Sequence, residues 1–392
     1  MPKAQSYTVI FGGWYQRTTL HLSETYDLLK LGRSKLNLSK EKLAKFHKIL
    51  DLKKVTREAG YLEYVKAETN SGIQTRYYED GLYVLEINST DINKAQKLLE
   101  DYFNNVFNPA ISYIFSLGAP TPKVLANIEA THPTVVGATS KNPENFEVDV
   151  GEFGEVYSKI TSDDITVYKT PSHIFVVASP DKKVSIRDLV EMQIFFREFK
   201  DQLEKYLDIH RNIWEEISEI KERKAIKGKE VGIVRSKLEG YKKTIDLINS
   251  RIDQMGAYIH TRQSIAKDLK IKEQLVTLLQ YKFEVLANTH DYIKEIWKMT
   301  SNYLSAAIQM VVEVENQSTT VSIQALQVIT SVGVISGILG YLARDQLPKI
   351  TISGAIFFMV LLLATWFINV IIAKVYRNLK YKLKFPERAK NI

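Results

Sequence analysis

Apolar residues recur every three and four positions over residues 189–220, and the repeat has no missed step. A second repeat of the same kind covers residues 234–259. This spacing puts the apolar side chains on one face of an α-helix, where they pack against another helix. Gly228 lies between the two repeats and suits a turn. We therefore predict two antiparallel helices, at about 184–224 and 230–262.

A third apolar repeat begins at Ile271, and no proline occurs between it and Leu347. Because proline breaks helices at a cost of roughly 3 kcal/mol, this part of the chain can form a long helix. We predict one helix over residues 271–342, about 108 Å long. Its first part, at about 271–320, completes a helical coiled-coil stalk at 181–320. One chain cannot cover so long a helix, which favours assembly from several copies.

Residues 1–180 carry shorter patterns in which strand and helix periods alternate. The clearest signal is Asp80-Gly81 between two apolar stretches, because Asp-Gly suits the positive φ of a tight hairpin turn. Gly12-Gly13 follows another predicted strand but belongs to no phosphate-binding motif, and we interpret it as a turn. The stretch predicts an α/β domain that is long enough to bury its own core.

Two stretches carry no charged residue: 28 residues at 316–343 and 24 residues at 350–373. A bilayer core about 30 Å thick needs about 20 helical residues to cross it. We therefore predict transmembrane helices at 321–342 and 350–373, joined by a short outer loop at 343–349.

The charge of the chain is concentrated at one end. The 392 residues have a formal net charge of +8, and seven basic residues against one acidic residue at 374–392 supply +6 of it. The nearly neutral remainder argues against nucleic acid as a partner. A basic tail after an apolar segment is typical of a cytoplasmic anchor. We predict a multi-pass protein of the cell membrane with both termini in the cytoplasm and the lipid bilayer as a partner.

The first predicted span has two neighbouring faces of polar or small residues. Amides and hydroxyls are costly in lipid unless they face protein or water, and the glycines at 333 and 337 allow two backbones to approach closely. These faces surround a central pore, or they pack helices together without conduction. The candidate pore-lining residues are Asn316, Thr319, Thr320, Gln324, Leu326, Gln327, Thr330, Gly333, Gly337 and Gly340.

The Gly-Ile-Leu-Gly segment at 337–340, followed by Leu347-Pro348, resembles a stretch of the CorA-type divalent-cation transporters, Gly-Ile-Tyr-Gly-Met-Asn with a later Met-Pro. The order of parts is also similar: a cytoplasmic α/β domain, a long stalk, two spans and a basic tail. The resemblance implies a funnel-shaped homo-oligomer, a pentamer, that transports metal cations such as Mg²⁺ and is regulated by Mg²⁺.

The resemblance is incomplete at the pore mouth. The Gly-Met-Asn signature of the family falls on residues 340–342, where only the glycine remains. Leu342 offers no amide to a hydrated cation, which predicts altered ion selectivity. The alternative hypothesis is a non-conducting, membrane-anchored coiled-coil scaffold that presents the cytoplasmic domain for partner binding. The candidate pore-mouth residues are Tyr341, Leu342, Arg344 and Asp345.

Catalytic patterns are missing from the sequence. It has no cysteine, which excludes thiolate metal sites and a cysteine nucleophile, and its seven histidines form no pair with metal-ligand spacing. We predict no enzymatic activity and no cofactor. Acidic residues between 147 and 164 are candidates for binding a regulatory cation, and a solvated loop surface is the alternative. These candidates are Glu147, Asp149, Glu152, Asp163 and Asp164.

Overall fold

The structure is a computed structural model that describes residues 6–15, 21–115, 134–180, 186–223, 225–342 and 352–382. The chain forms two compact units. The sheet unit comprises Met1–Leu207 and Ile248–Glu295. The helical unit comprises Asp208–Leu247 and Ile296–Ile392. Each unit therefore combines segments that are distant in the sequence.

Within the described residues, nine strands of the sheet unit form one sheet in the order β2-β3-β4-β5-β1-β6-β9-β8-β7. In this sheet β6 and β9 pair in parallel, and the other neighbouring strands that the structure describes pair antiparallel. The predicted turn at Asp80-Gly81 joins β4 to β5, and Gly81 has the expected positive φ of 90°. The strands are β1 (Tyr7–Trp14), β2 (Leu52–Ala59), β3 (Glu63–Thr69), β4 (Gln74–Tyr78), β5 (Leu82–Ser89), β6 (Thr134–Thr139), β7 (Ser158–Ser162), β8 (Ile165–Lys169) and β9 (His173–Ala178).

Short helices cover one face of this sheet. Val9 and Phe11 of β1 point into a core shared with these helices, because alternate residues of a strand face the same side. Leu28, Leu99 and Ile111 supply fully buried side chains from the helical side of that core. The helices are α1 (Leu22–Leu31), α2 (Lys40–Ile49), α3 (Ile92–Tyr102) and α4 (Asn108–Phe115), with a π-turn at Phe103–Phe107 and a one-turn helix, α5 (Val150–Phe153), further along the chain.

The opposite face of β1 packs against the helix α6 (Ile186–Glu222). A Cβ atom added at Gly12 would come within 2.7 Å of the Tyr83 carbonyl oxygen on β5 and 2.8 Å of Ile194 on this helix, so glycine suits this close approach. Arg197 donates a hydrogen bond of 2.8 Å to the Gly12 carbonyl. The prediction that Gly12-Gly13 forms a turn is therefore wrong, since both residues lie within β1, where Gly12 makes room for α6 and Gly13 for the Tyr83 ring.

The long helices follow the apolar repeats, with one interruption. After α7 (Gly228–Asp268), the single helix predicted over 271–342 is divided into α8 (Lys272–Leu279) and α9 (Phe283–Leu342). Gln280 separates them in a left-handed conformation, with a φ of 60°. A non-glycine residue pays roughly 1–2 kcal/mol for this conformation. The break lets the next residues, Tyr281 and Phe283, pack on the Phe196 ring at centroid distances of 4.9 and 4.5 Å, which offsets that cost.

The helical unit has its own apolar core, in which His210 lies between two indole rings. Its imidazole is stacked on Trp214 and meets Trp297 edge-on, at centroid distances of 5.8 and 5.9 Å. The helix α10 (Ile352–Asn378) belongs to this unit. Beyond it, β11 (Lys380–Lys382) pairs antiparallel with β10 (Ala225–Lys227). The described part of the predicted basic tail, at 374–382, is thus the end of α10 followed by a strand.

The prediction of two transmembrane helices is wrong for the described residues, because none of their helices is long and apolar enough to cross a membrane. A span needs about 20 consecutive, mainly apolar residues. The first predicted span, 321–342, is instead the end of the 60-residue α9, where Gln324 and Gln327 interrupt the apolar side chains. The second predicted span, 350–373, falls mostly in α10.

The same finding corrects the predictions that depended on the spans. These are the membrane-embedded part of the fold class, the multi-pass location in the cell membrane with cytoplasmic termini, and the two spans on which the transport assignment relied. The outer loop predicted at 343–349 lies outside the described residues. The α/β sheet domain and the long helices are present as predicted.

Candidate functional site

The β4–β5 turn holds a buried ion pair. Arg262 of α7 donates two hydrogen bonds to the Asp80 carboxylate, at 2.7 and 3.0 Å, and the Asp80 side chain is fully buried. The same carboxylate accepts the backbone N–H of Leu82 at 3.1 Å, which closes the turn. The Asp80 carbonyl accepts the indole N–H of Trp14 at 2.6 Å. One aspartate therefore connects the hairpin to β1 and α7.

A second buried cluster surrounds Arg76 of β4. Its guanidinium donates two hydrogen bonds of 3.0 Å to Glu86 of β5 and one of 2.8 Å to Glu191 of α6. The other Glu191 oxygen accepts the Tyr78 hydroxyl at 2.7 Å. Arg187, at the half-exposed edge of the cluster, donates to Glu86 at 2.7 Å. Each buried charge in this cluster therefore has a partner of opposite sign, as burial requires.

Aromatic rings join the two clusters. The Arg262 guanidinium lies over the Tyr78 ring, 4.9 Å from its centroid, and within 5.6 Å of the Phe195 ring centroid. Desolvated contacts of this kind are worth roughly 2 kcal/mol each. Tyr78 therefore touches Arg262 with its ring and Glu191 with its hydroxyl, and links them into one network.

The ionisation of these groups follows from their surroundings. Burial opposes the charge of Arg76, but Glu191 and Glu86 outweigh it and raise the pKa of Arg76. Burial likewise opposes the charge of Glu86, and Arg76 outweighs it, so the pKa of Glu86 is lowered. Burial and then Glu191 raise the pKa of Tyr78 far above its usual range. The carboxylate of Glu86 is therefore ionised and the Tyr78 hydroxyl keeps its proton at neutral pH.

We expect Glu86→Gln to lower the free energy of unfolding by about 2 kcal/mol at pH 7, because hydrogen bonds to charged groups are worth about that much. A lowered folded-state pKa adds stability above the unfolded-state pKa of about 4.3, and that stability is lost as the pH falls through the folded-state value. The variant should therefore lose less stability than the parent between pH 5 and pH 3. Urea unfolding at a series of pH values measures this difference.

The control for this prediction is Glu204→Gln, which removes an exposed carboxylate from α6. Its stability should follow that of the parent protein at every pH, since exposed pairs contribute at most about 1 kcal/mol. Parallel pH profiles for Glu86→Gln and the parent would contradict the assigned role of Glu86.

A cavity of about 170 Å³ opens beside the network. Tyr78, Glu191 and Arg262 line it from the network side. The β2–β3 connection lines it from the other side, with Tyr61 and Leu62. All of its lining residues belong to the sheet unit. The cavity is therefore a concave site with charged groups already placed and neutralised around it.

The predicted pore-lining residues lie along one side of α9. The hydroxyls of Thr319, Thr320 and Thr330 donate to backbone carbonyls four residues earlier, at 2.9, 2.8 and 2.8 Å. Gly340, Tyr341 and Leu342 form the last turn of α9. The predicted mouth residues Arg344 and Asp345 lie outside the described residues. The described members that are exposed are Asn316, Thr319, Thr320, Gln324, Leu326, Gln327, Thr330, Gly333 and Gly337.

The acidic candidates for cation binding have local structural roles. Asp149 caps α5 and accepts the backbone N–H groups of residues 151 and 152 at 2.9 and 3.2 Å. Glu152 accepts the side-chain amide of Asn93 at 2.6 Å. Asp163 and Asp164 form the turn between β7 and β8, and Glu147 is exposed. Across the described ranges, no group of three or more acidic or histidine side chains is placed to hold a metal ion.

The sequence matches no protein-family model and is not significantly similar to any curated protein. The resemblance to the CorA-type transporters therefore stays a prediction.

The charged network is not apparent from the sequence patterns. One signal was available, because Arg76 and Glu86 are charged residues inside stretches predicted as apolar strands. Their partners are far away in sequence: Glu191 is separated from Arg76 by 115 positions, and Arg262 from Asp80 by 182. Sequence spacing contains no information about pairing over such distances, so only the folded chain reveals the site.

Proposed function

We propose that this protein is a self-associating helical scaffold that presents its sheet unit for ligand binding. The observation that carries the proposal is the uncovered face of α9. Ile323 and Leu326 on this face are 50% and 48% exposed, although large apolar side chains are normally buried. Asn316, Thr330 and Gly333 continue the same face, and they are exposed as well.

The chemistry of this face suits another helix. Its threonine hydroxyls are already bonded to their own backbone, so they can be buried without losing a hydrogen bond. A Cβ atom added at Gly333 or Gly337 would meet nothing within 4 Å, so a neighbouring backbone can approach closely there. The face therefore combines apolar anchors, hydrogen-bonded threonine hydroxyls and two points of close approach.

The proposed occupant of the face is a second copy of this chain. The stretch 316–343 carries no charge, so a complementary partner must offer a long uncharged helix. The chain itself carries such helices, and a symmetric assembly pairs identical surfaces. On α10, exposed apolar residues also recur at steps of three and four. These are Ile352, Ile356, Met359, Leu363, Trp366 and Val370.

We expect Leu326→Glu to dissociate the assembly, because each copy would bring an unpaired carboxylate into an apolar contact. Size-exclusion chromatography with light scattering measures the change. The parent protein should elute with the mass of two or more chains, and the variant with the mass of one chain. Unchanged helix content by circular dichroism would show that the variant is folded.

The matched control is Ile233→Glu, which puts the same charge on an exposed apolar residue of α7 in the same unit. This control should keep the mass of the parent protein. A monomeric parent, or a Leu326→Glu variant with the parent's mass, would contradict self-association. The hypothesis of cation transport rested on the two predicted spans and stays untested.

A further inference from the structure

The walls of the cavity in the sheet unit are mainly apolar. Tyr61 is 59% exposed and stands at the open side, where a ligand would meet its ring first. Tyr64 and Tyr78 stand deeper, with ring centroids 5.0 Å apart. Walls of this composition favour a ligand with an apolar, aromatic body. The other apolar side chains come from the β2–β3 connection, from α6 and from the region where α7 ends, and they are Leu62, Met192, Ile265 and Leu269.

The charged groups that line the cavity already have partners. The guanidinium of Arg262 is held by the Asp80 carboxylate, and the carboxylate of Glu191 is held by Arg76. Asp188 also lines the cavity and has an interaction of its own. A ligand of either charge would therefore bring an uncompensated charge beside apolar walls, which costs free energy. An uncharged ligand avoids this cost.

Hydrogen bonds hold the two deeper tyrosine rings in place. The Tyr64 hydroxyl donates to Glu58 at 2.6 Å, and the Tyr78 hydroxyl donates to Glu191 at 2.7 Å. Burial and then the hydrogen bond to Glu58 raise the pKa of Tyr64 to about 12, so its hydroxyl keeps its proton at neutral pH. Because both rings are oriented before a ligand arrives, little rotamer freedom is lost on binding. The two rings therefore form a preorganised and uncharged wall.

The volume of the cavity limits the size of the ligand. An engineered apolar cavity of roughly 150 Å³ takes up one benzene molecule. The cavity of the sheet unit measures about 170 Å³. A ligand that fits therefore consists of a single ring with a short substituent.

We propose that this cavity binds a small uncharged molecule with one aromatic ring, which packs against Tyr61 and Tyr64. The inference rests on the part of the proposed function in which the sheet unit binds a ligand, and it names the chemical class of that ligand. The site is built entirely from the sheet unit, so it does not depend on self-association.

Three one-ring probes of similar size but different charge test the assignment by isothermal titration calorimetry on the full chain at neutral pH. They are benzyl alcohol, which is uncharged, benzylamine, which is a cation, and benzoate, which is an anion. Benzyl alcohol should bind at least about tenfold more tightly than either charged probe, because only the charged probes leave a charge without a partner. A smaller preference, or no binding of benzyl alcohol at millimolar concentration, would overturn the proposal.

Two variants of Tyr61 then locate the bound probe. Tyr61→Ala should weaken binding of benzyl alcohol at least about threefold, because it removes a ring contact, whereas Tyr61→Phe keeps the ring and should bind like the parent. Tyr61 is exposed, so both variants are expected to fold, and circular dichroism checks this. The matched control is Tyr157→Ala, which removes another exposed tyrosine of the sheet unit outside the cavity and should bind like the parent. Parent-like binding by Tyr61→Ala, or an equal loss in Tyr61→Phe, would overturn the proposal.

The monomeric variant separates this inference from the proposed assembly. Leu326→Glu should keep the parent's affinity for benzyl alcohol even as its mass falls to one chain. Loss of binding in this variant would show that the site needs the assembly and would overturn its placement in a single sheet unit.

Discussion

Replacing Arg262 by methionine should lower the free energy of unfolding of the sheet unit by about 3–5 kcal/mol, the cost of leaving a buried charge without its partner. Asp80 is fully buried, and Arg262 supplies two of its hydrogen bonds. Asp80 also holds the β4–β5 turn through Leu82, so the loss should loosen that hairpin first. Burial opposes the charge of Arg262, but Asp80 outweighs it and raises the pKa of Arg262, so the guanidinium stays charged throughout.

Hydrogen-exchange mass spectrometry of the full chain in increasing urea measures this effect on peptides that cover β4 and β5. The double variant Arg262→Met with Asp80→Asn should be more stable than the single variant, because it removes the orphaned charge. Lys267→Met, which removes an exposed cation from the same helix, serves as the matched control. A loss below about 1 kcal/mol in Arg262→Met would place this pair among ordinary surface ion pairs and contradict the prediction.

Replacing Arg76 by methionine should destabilise the sheet unit by a similar amount, about 3–5 kcal/mol at pH 7. The change leaves the buried carboxylates of Glu86 and Glu191 without the guanidinium that both contact. Arg187 still reaches Glu86, but it is half exposed and offsets only part of the loss. The two carboxylates then repel each other in a poorly solvated site.

The sign of the pH dependence distinguishes this explanation from a simple packing defect. In the parent protein the pKa of Glu86 is lowered, so its contribution to stability falls as the solution is acidified. In Arg76→Met, burial of Glu86 with only the half-exposed Arg187 as a partner favours its protonated form, so the stability lost through the substitution becomes smaller as the pH falls towards about 4.3. The difference in stability between variant and parent should therefore shrink from pH 7 to pH 4.5.

Urea unfolding at these two pH values measures the change, with Arg57→Met as the matched control. Arg57 is an exposed arginine of β2 that pairs with Glu63, so its loss should cost at most about 1 kcal/mol at either pH. A pH-independent loss in Arg76→Met would indicate missing packing around the side-chain stem instead of orphaned carboxylates.

Local sequence patterns predicted much of the fold. Asp80-Gly81 was recognised as a hairpin turn because few residue pairs suit its backbone angles. The repeats at 189–220 and 234–259 predicted α6 and α7, since a periodicity of three and four persists whatever the helix packs against. Gly12-Gly13 was misjudged, because a glycine that makes room for a neighbouring helix looks in sequence like a glycine that turns the chain.

The long C-terminal helices show where composition misleads. Uncharged stretches predicted two membrane spans, yet no helix in the described part of the chain is long and apolar enough to be one. The prediction of one continuous helix from residue 271 missed the break at Gln280. No local signal marks that break, since its benefit arises from the packing of Tyr281 and Phe283 on the distant Phe196.

The sequence by itself determined the local elements of this protein, because turn chemistry and apolar periodicity act over a few residues. It also determined which residues share a helix face, including the face of α9 with small, polar and apolar residues that carries the proposed assembly. Only the tertiary structure decided how the charges pair, since Asp80 and Arg262 meet across 182 positions and Arg76 and Glu191 across 115. Buried charges must be neutralised by whatever the fold brings beside them, so the network and the cavity next to it emerged only when β4, β5, α6 and α7 came together.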